Sequence, residues 1–278
     1  MTVDPVMSKL LSTTDSSEWE LVDTLELRFE TDHPQGLLRV GYRGDRWFLS
    51  SVRFQRTDAG KPDPSTVGRG FLIEFERDGD VLEEKGRLEL GEGLVYHPGG
   101  MASEGTVIYV PVSEYRPDSS CHIYKVDVEK FEVLGEPVQF PDHIGALSID
   151  PERRRIFGMS WASRRIYIWD YEWNLLHMNL NPIENVAYQD IDFRGGNTLA
   201  CAGVWTFDLG GQQVEIGGLD LIDATTWLPH HRIMVTTRTH TGRLLVNNAF
   251  SHKLVYPDLF LGFVPDDDEG SQLQIYRV

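Results

Sequence analysis

One short motif returns along the chain at a near-constant interval, and that interval limits the folds open to it. It reads HPQGLLRV (33–40), HPGGMASE (97–104), HIGALSID (143–150) and, more loosely, YQDIDFRG (188–195). The anchor positions 33, 97, 143 and 188 lie 64, 46 and 45 residues apart. A period of ~40–50 residues is that of a four-stranded propeller blade. The longer first interval is accounted for by QRTDAGKPDPSTVGRG (55–70), an insertion rich in Gly, Pro and Asp.

Further elements keep step with the anchors. After each comes a short apolar strand, in RWFLSSVRF, TVIYVPVSEY, RIFGMSWAS, TLACAGVWTF and LFLGFVPDD. An aromatic strand with a polar turn follows, in GFLIEFERDGDVL, HIYKVDVEKFEVL, RIYIWDYEWNLL, GLDLIDATTWLP and QLQIYRV. Four copies continue into a fourth strand (GRLELGEG, EPVQFPD, LHMNLNP, HHRIMVTT), whereas the copy ending at Val278 has none. WELVDTLELRFETD (19–32) is the obvious donor, because exchanging it into the last unit removes two open sheet edges. The expectation is therefore an all-β, five-bladed propeller over residues 19–278, closed by its N-terminal strand, with 1–18 a flexible segment. A β-sandwich is the alternative, but it predicts neither the period nor the complementary ends.

Composition narrows the partners. With 26 Lys and Arg against 43 Asp and Glu, the formal charge is −17, a field that repels nucleic acid and anionic membranes. The sequence shows neither a secretory leader nor a run of ~18 apolar residues, which leads to an expectation of a cytoplasmic protein. Its two cysteines, Cys121 and Cys201, are too few for a disulfide framework and are expected as reduced thiols.

Residues 97–120, DHIGALSID (142–150), YQDIDF (188–193), GGLDL (217–221) and FVPDD (263–267) together resemble an uncharacterised propeller family, filed as a domain of unknown function. The resemblance implies the fold and carries no reaction.

Chemistry is sought where the repeats converge. The start of each innermost strand faces one mouth of a propeller channel, so His33, His97 and His143 are expected in one ring, with Gln189 and Asp190 next to them. Neutral imidazoles bind divalent metals, among them Zn, Fe, Mn or Cu, with Ca also open if oxygen ligands dominate. The fifth anchor is ambiguous: His240 copies the HxG pattern, while Asn247 and Asn248 fit the spacing better. An alternative use of HxG is packing, with the imidazole bonded to a neighbouring strand and Gly allowing close approach. Loops on the same face add Arg53, Arg116 and Arg164 as anion clamps, Trp161 and Trp205 as apolar walls, and Glu114, Tyr115 and Asp190 as proton-transfer groups. His252 is assigned to an ordinary strand position. The resulting expectation is a metal-dependent hydrolase or lyase acting on a small, oxygen-rich or anionic molecule; the alternative is a propeller that only binds a small ligand or a protein. Oligomeric state is left open.

Overall fold

The computed structural model describes residues 5–40, 46–55, 67–268 and 271–278. Strands dominate because β-branched and aromatic residues alternate with Gly, Asp and Asn turns. The first are β1 (Glu20–Leu27), β2 (His33–Val40), β3 (Arg46–Arg53), β4 (Arg69–Asp78) and β5 (Val81–Leu90). Next come β6 (Val95–Pro98), β7 (Ala102–Glu104), β8 (Val107–Glu114), β9 (Cys121–Asp127), β10 (Glu132–Val133) and β11 (Val138–Phe140). A four-stranded sheet follows from β12 (Ala146–Asp150), β13 (Arg155–Met159), β14 (Arg165–Asp170) and β15 (Leu175–Leu180), and another from β16 (Val186–Phe193), β17 (Thr198–Leu209), β18 (Gln212–Asp223) and β19 (Pro229–Val235). The chain closes with β20 (Ala249–Val255), β21 (Asp258–Val264) and β22 (Gln272–Arg277).

Within each group the strands pair antiparallel as a meander, except that in the second group β6 and β7 both pair with β8, and β10 and β11 both pair with β9. The first and last groups form one sheet in the order β2-β3-β4-β5-β1-β22-β21-β20. In it β1 pairs antiparallel with β22, from Glu20↔Arg277 to Glu26↔Gln272, and touches β5 in parallel at Glu26↔Val81 and Leu27↔Leu82. The segment 19–32 thus supplies the strand that the C-terminal group lacks. The result is an all-β, propeller-like arrangement of sheets.

The burial pattern follows the layering. Interior strands β3 and β4 are buried through both faces, whereas the outer β15 is mostly exposed. Apolar side chains meet between successive groups: Phe48 and Leu72 with Val110 and Val126, Ile123 with Trp169, Phe157 with Phe193, and Leu221 with Phe263. Leu37, Trp47 and Ile73 meet Val264 and Leu273, which joins the first group to the last.

The N-terminal segment departs from the flexible tail expected for residues 1–18. Pro5–Ser12 form a helix, α1, whose Val6, Met7 and Leu10 are buried in the cluster shared with Phe263 and Val246. Ser16 Oγ accepts from the Thr236 and Thr237 amides, and His231 Nε2 donates to the Thr13 carbonyl. An apolar helical face with somewhere to dock outweighs the polar composition of the segment. No helix among the described residues is long and apolar enough to cross a membrane. Of the insertion 55–70, residues 56–66 lie outside the described ones.

The innermost strands approach one another at the glycines of the repeat. A Cβ on Gly99 would stand 2.1 Å from the Gly145 carbonyl oxygen, and one on Gly36 would stand 2.8 Å from Gly100 Cα. Gly100 N–H donates to the Gly145 carbonyl at 2.8 Å and Leu147 N–H to the Gly100 carbonyl at 3.0 Å, so the backbones cannot part without losing these bonds. Gly99→Ala should therefore cost about 1–3 kcal/mol or more, in the manner of an overpacked core. Gly105→Ala, with φ +59 and nothing within 4 Å, is the control for backbone strain alone. A Gly99→Ala melting temperature equal to that of the wild type would disprove the close approach.

Candidate functional site

Three of the anchors sit where the ladder slips. Register shifts fall between Pro34 and Gly36, between Val95 and His97, and between Tyr188 and Asp190. Such bulges re-aim side chains. Here they bring His33, Gln35, His97, His143, Gly145, Tyr188 and Gln189 around one cavity of about 230 Å³, with Tyr115, Ser160 and Trp161 from the neighbouring loops. We call this the upper chamber. Its described lining contains no Arg, Lys, Asp or Glu.

The rings in it touch. His97 stacks on Tyr115 with centroids 4.8 Å apart and lies 5.9 Å from His143, which meets the Trp161 edge at 4.9 Å. Phe54 bridges His33 and His97 at 5.6 and 5.8 Å. Trp161 stands on a turn in which Ala162 and Ser163 are left-handed, at φ +50 and +52. Ser163 Oγ accepts from the Tyr188 amide at 2.9 Å, which fastens this strained turn to β16.

The proton positions follow from the partners. His143 Nδ1 is 2.8 Å from the Glu114 carbonyl, which only accepts, so Nδ1 carries the hydrogen. Burial brings the His143 pKa down to about 4, so near neutral pH its Nε2 keeps a lone pair. Nε2 lies 3.5 Å from the point a Cβ of Gly145 would occupy, on the chamber wall. His33 Nδ1 is 2.8 Å from Asp267 Oδ1, and that carboxylate is also bonded by Arg243 Nη2 at 2.9 Å. His97 is 6% exposed; burial, and then His143 and His33, hold its pKa well below the usual imidazole range, and its Nδ1 is buried without a partner.

Neither His240 nor the alternative pair Asn247 and Asn248 lines the chamber. Asn248 immediately precedes β20, is 1% exposed and donates to the Pro265 carbonyl at 2.9 Å. His240 lies in an exposed turn and does not line the chamber.

The expected anion clamps are elsewhere. Arg53 is paired with Asp32 at 2.7 Å and with Glu30, Arg116 with Glu114 at 2.7 Å, and Arg164 with Asp118 at 3.1 Å, and none lines the upper chamber. In so acidic a chain, exposed guanidinium groups find carboxylates first. Burial works against ionisation of Glu114, yet bonds from Arg116 and Ser120 hold its carboxyl below the usual range; its contribution to the chamber is the carbonyl that orients His143. Trp205 is 3% exposed in the core, under the Arg232 guanidinium at 4.3 Å. Both thiols are free and buried, and burial pushes Cys121 up to about 12.

Asp190 lies below the chamber, at a waist. It is 4% exposed, and its oxygens accept from the Leu37 amide at 3.3 Å and the Ile191 amide at 3.1 Å, with Phe250 adding a third backbone bond. Burial raises its pKa well above the usual carboxylate value. A Cβ on Gly100 would stand 2.7 Å from the Gln189 carbonyl oxygen and 2.8 Å from Asp190 Oδ1, so the chain at Gly100 and β16 approach closely at this waist. Among the described residues no set of three or more His, Cys, Asp or Glu side chains is arranged to hold a metal ion.

Sequence reasoning missed Phe54, Ser160 and Gln35. Gln35 was detectable, since in HPQG it stands beside the bulge as Gln189 does in YQD.

Meandering sheets around an axial cavity of small-molecule size define an all-β protein of propeller-like architecture. The chain belongs to the family of unknown function DUF6454, which matches residues 5–278. No curated protein matches. Among solved structures, a hypothetical protein from Leishmania major is similar over 92% of this chain and 90% of its own, with TM-score 0.60 and 10% identity, a likeness of fold alone. The Neurospora crassa Pan2 WD40 domain is matched over 94% of this chain and 72% of its own, at TM-score 0.46 and 8% identity.

Proposed function

We propose that the chain is a five-bladed β-propeller, its last blade completed by the N-terminal strand, whose upper chamber binds a small, largely uncharged organic molecule and acts on it by hydrolase or lyase chemistry. The blade count is supported by the apolar contacts that run from group to group and return from the last to the first. The chemistry is carried by one observation: His33 and His143 each have Nδ1 tied to an acceptor, which leaves Nε2 as the basic nitrogen beside the chamber. An imidazole oriented in this way accepts a hydrogen bond from a bound water or substrate and can take its proton as the reaction develops, a task that burial makes harder for His143. Tyr115 and Trp161 supply the flat apolar wall.

The test is a panel of neutral esters, lactones and cyclic ethers assayed for turnover and for ligand-induced stabilisation. His33→Ala and His143→Asn should lower turnover ~10²–10⁴-fold, while Arg116→Ala, outside the chamber, should not. Stabilisation without turnover, lost in Trp161→Ala, would leave a binding protein. Effects unchanged in all three chamber variants would remove the chamber from the account.

A second reading places a divalent metal on His33, His97 and His143. It is favoured by the same Nδ1 tethers, which are the usual outer support of metal-bound imidazoles, and by the unpartnered His97 Nδ1. Elemental analysis should then find near-stoichiometric metal that any one of these His→Ala changes removes and that His122→Ala leaves in place. Metal-free protein with full activity would rule this second reading out.

A further inference from the structure

Below the waist lies a second cavity, of about 240 Å³, which the upper-chamber reading does not use. It is walled by the innermost strand of every group: β2, β7, β12, β16 and β20. Its chemistry is the opposite of the upper chamber's. Arg39 and Arg194 both line it, together with His252, Asp192 and Ser251. Asp190 reaches it too, but its oxygens are engaged by the backbone amides of the waist. That leaves Asp192 as the carboxylate set among the cationic groups. It bonds Arg194 Nη2 at 2.5 Å and His252 Nδ1 at 3.3 Å, and so holds both side chains in place. Arg39 is steadied from behind by Trp47, its guanidinium carbon 4.2 Å from the ring centroid.

Two polar atoms in this wall are left unsatisfied. Among the described residues Arg194 Nε is buried with no hydrogen-bond partner, and so is Ser251 Oγ, on a residue only 7% exposed. A buried donor of this kind is costly to leave unpaired unless something else satisfies it. Ser148 Oγ accepts from the Phe193 amide at 2.6 Å, so its own hydrogen remains to be donated. Arg194 Nε and the Ser148 and Ser251 hydroxyls are thus donors facing a void in a wall that also carries a second guanidinium and an imidazole.

We propose that this lower chamber is a second ligand site, which takes a small molecule bearing a carboxylate or phosphate group. The anion's oxygens accept from Arg194 Nε and the Ser148 and Ser251 hydroxyls, Arg39 adds positive charge to the wall, and Asp192 keeps Arg194 and His252 in position. The anion-binding function expected at the upper mouth from Arg53, Arg116 and Arg164 is thereby assigned to different arginines at the other end of the axis.

Titration calorimetry at constant ionic strength, with inorganic phosphate and with malonate as probes and chloride as the blank, tests this. At least one probe should bind saturably to the wild type, and the preference between them names the anionic group. Arg194→Gln should weaken binding at least ~10-fold. Ser251→Ala, which removes an unpaired hydroxyl and so should fold as well as the wild type, should weaken it several-fold. Arg116→Ala should leave it unchanged. Absence of saturable binding by either probe overturns the proposal. So does equal affinity in a folded Ser251→Ala variant and the wild type, or equal loss in Arg116→Ala, which would indicate a diffuse charge effect.

Discussion

A chain lacking residues 1–28 should fail to fold, giving no cooperative thermal transition and aggregating at micromolar concentration. The deletion spares Glu30 and Asp32, which pair with Arg53, so those ion pairs are not what it removes. It removes Trp19, Leu25 and Leu27, at 8, 2 and 7% exposure, and uncovers Phe263 and Leu273. Truncating one buried Leu costs about 2–5 kcal/mol and one buried Trp about 3–5. Three such losses already match the ~5–15 kcal/mol that stabilises an ordinary domain. The deletion also strips β22 of its outer partner and leaves an open edge. A synthetic peptide of residues 5–28 added during refolding should restore soluble protein, because the junction it fills is non-covalent. A truncated chain that melts as the wild type does, as a monomer, would show that β1 is dispensable to closure.

The second large effect is on acid stability. In the folded chain the His143 pKa is lowered to about 4 by burial, against 6.5 for a free imidazole. Between those values the unfolded chain binds a proton there and the native chain does not. Stability from His143 is therefore complete above pH 6.5, lost as pH falls towards 4, and constant below. The difference amounts to about 3 kcal/mol. Asp190, whose pKa is raised by burial, acts in the opposite sense, so the wild-type profile alone does not isolate the histidine. His143→Asn does, since its side-chain amide can still donate to the Glu114 carbonyl and does not titrate. Denaturant unfolding at pH 4.5 and 7.5, with chelator present, should find the wild type losing about 2–3 kcal/mol more than the variant on acidification. Equal losses in the two proteins would mean that the imidazole is solvated.

How far the sequence could be read differs between scaffold and site. Strand positions, the repeat and the donor of the missing strand were all visible, because each depends on local pattern or on complementary ends. The convergence of the repeated motif was also legible: Gly36 and Gly99 allow backbones to approach closely, and His33, His97 and His143 line one cavity. The α1 helix escaped notice because eight residues show too little periodicity; its docking surface is built from residues more than two hundred positions away.

Period and polarity along the chain determined which residues form strands and which strand ends lie near the axis. Only the tertiary structure decided what those ends do. It buried Asn248 directly before β20 and left His240 in an exposed turn, because turn lengths set register more finely than motif likeness. It directed Arg53, Arg116 and Arg164 to carboxylates, and put Arg39, Arg194 and His252 around a void, because ion pairing is settled by distances in space. It made His97 and His143 weak bases and Asp190 a weak acid, because the cost of charge depends on burial, which no residue carries in its own identity.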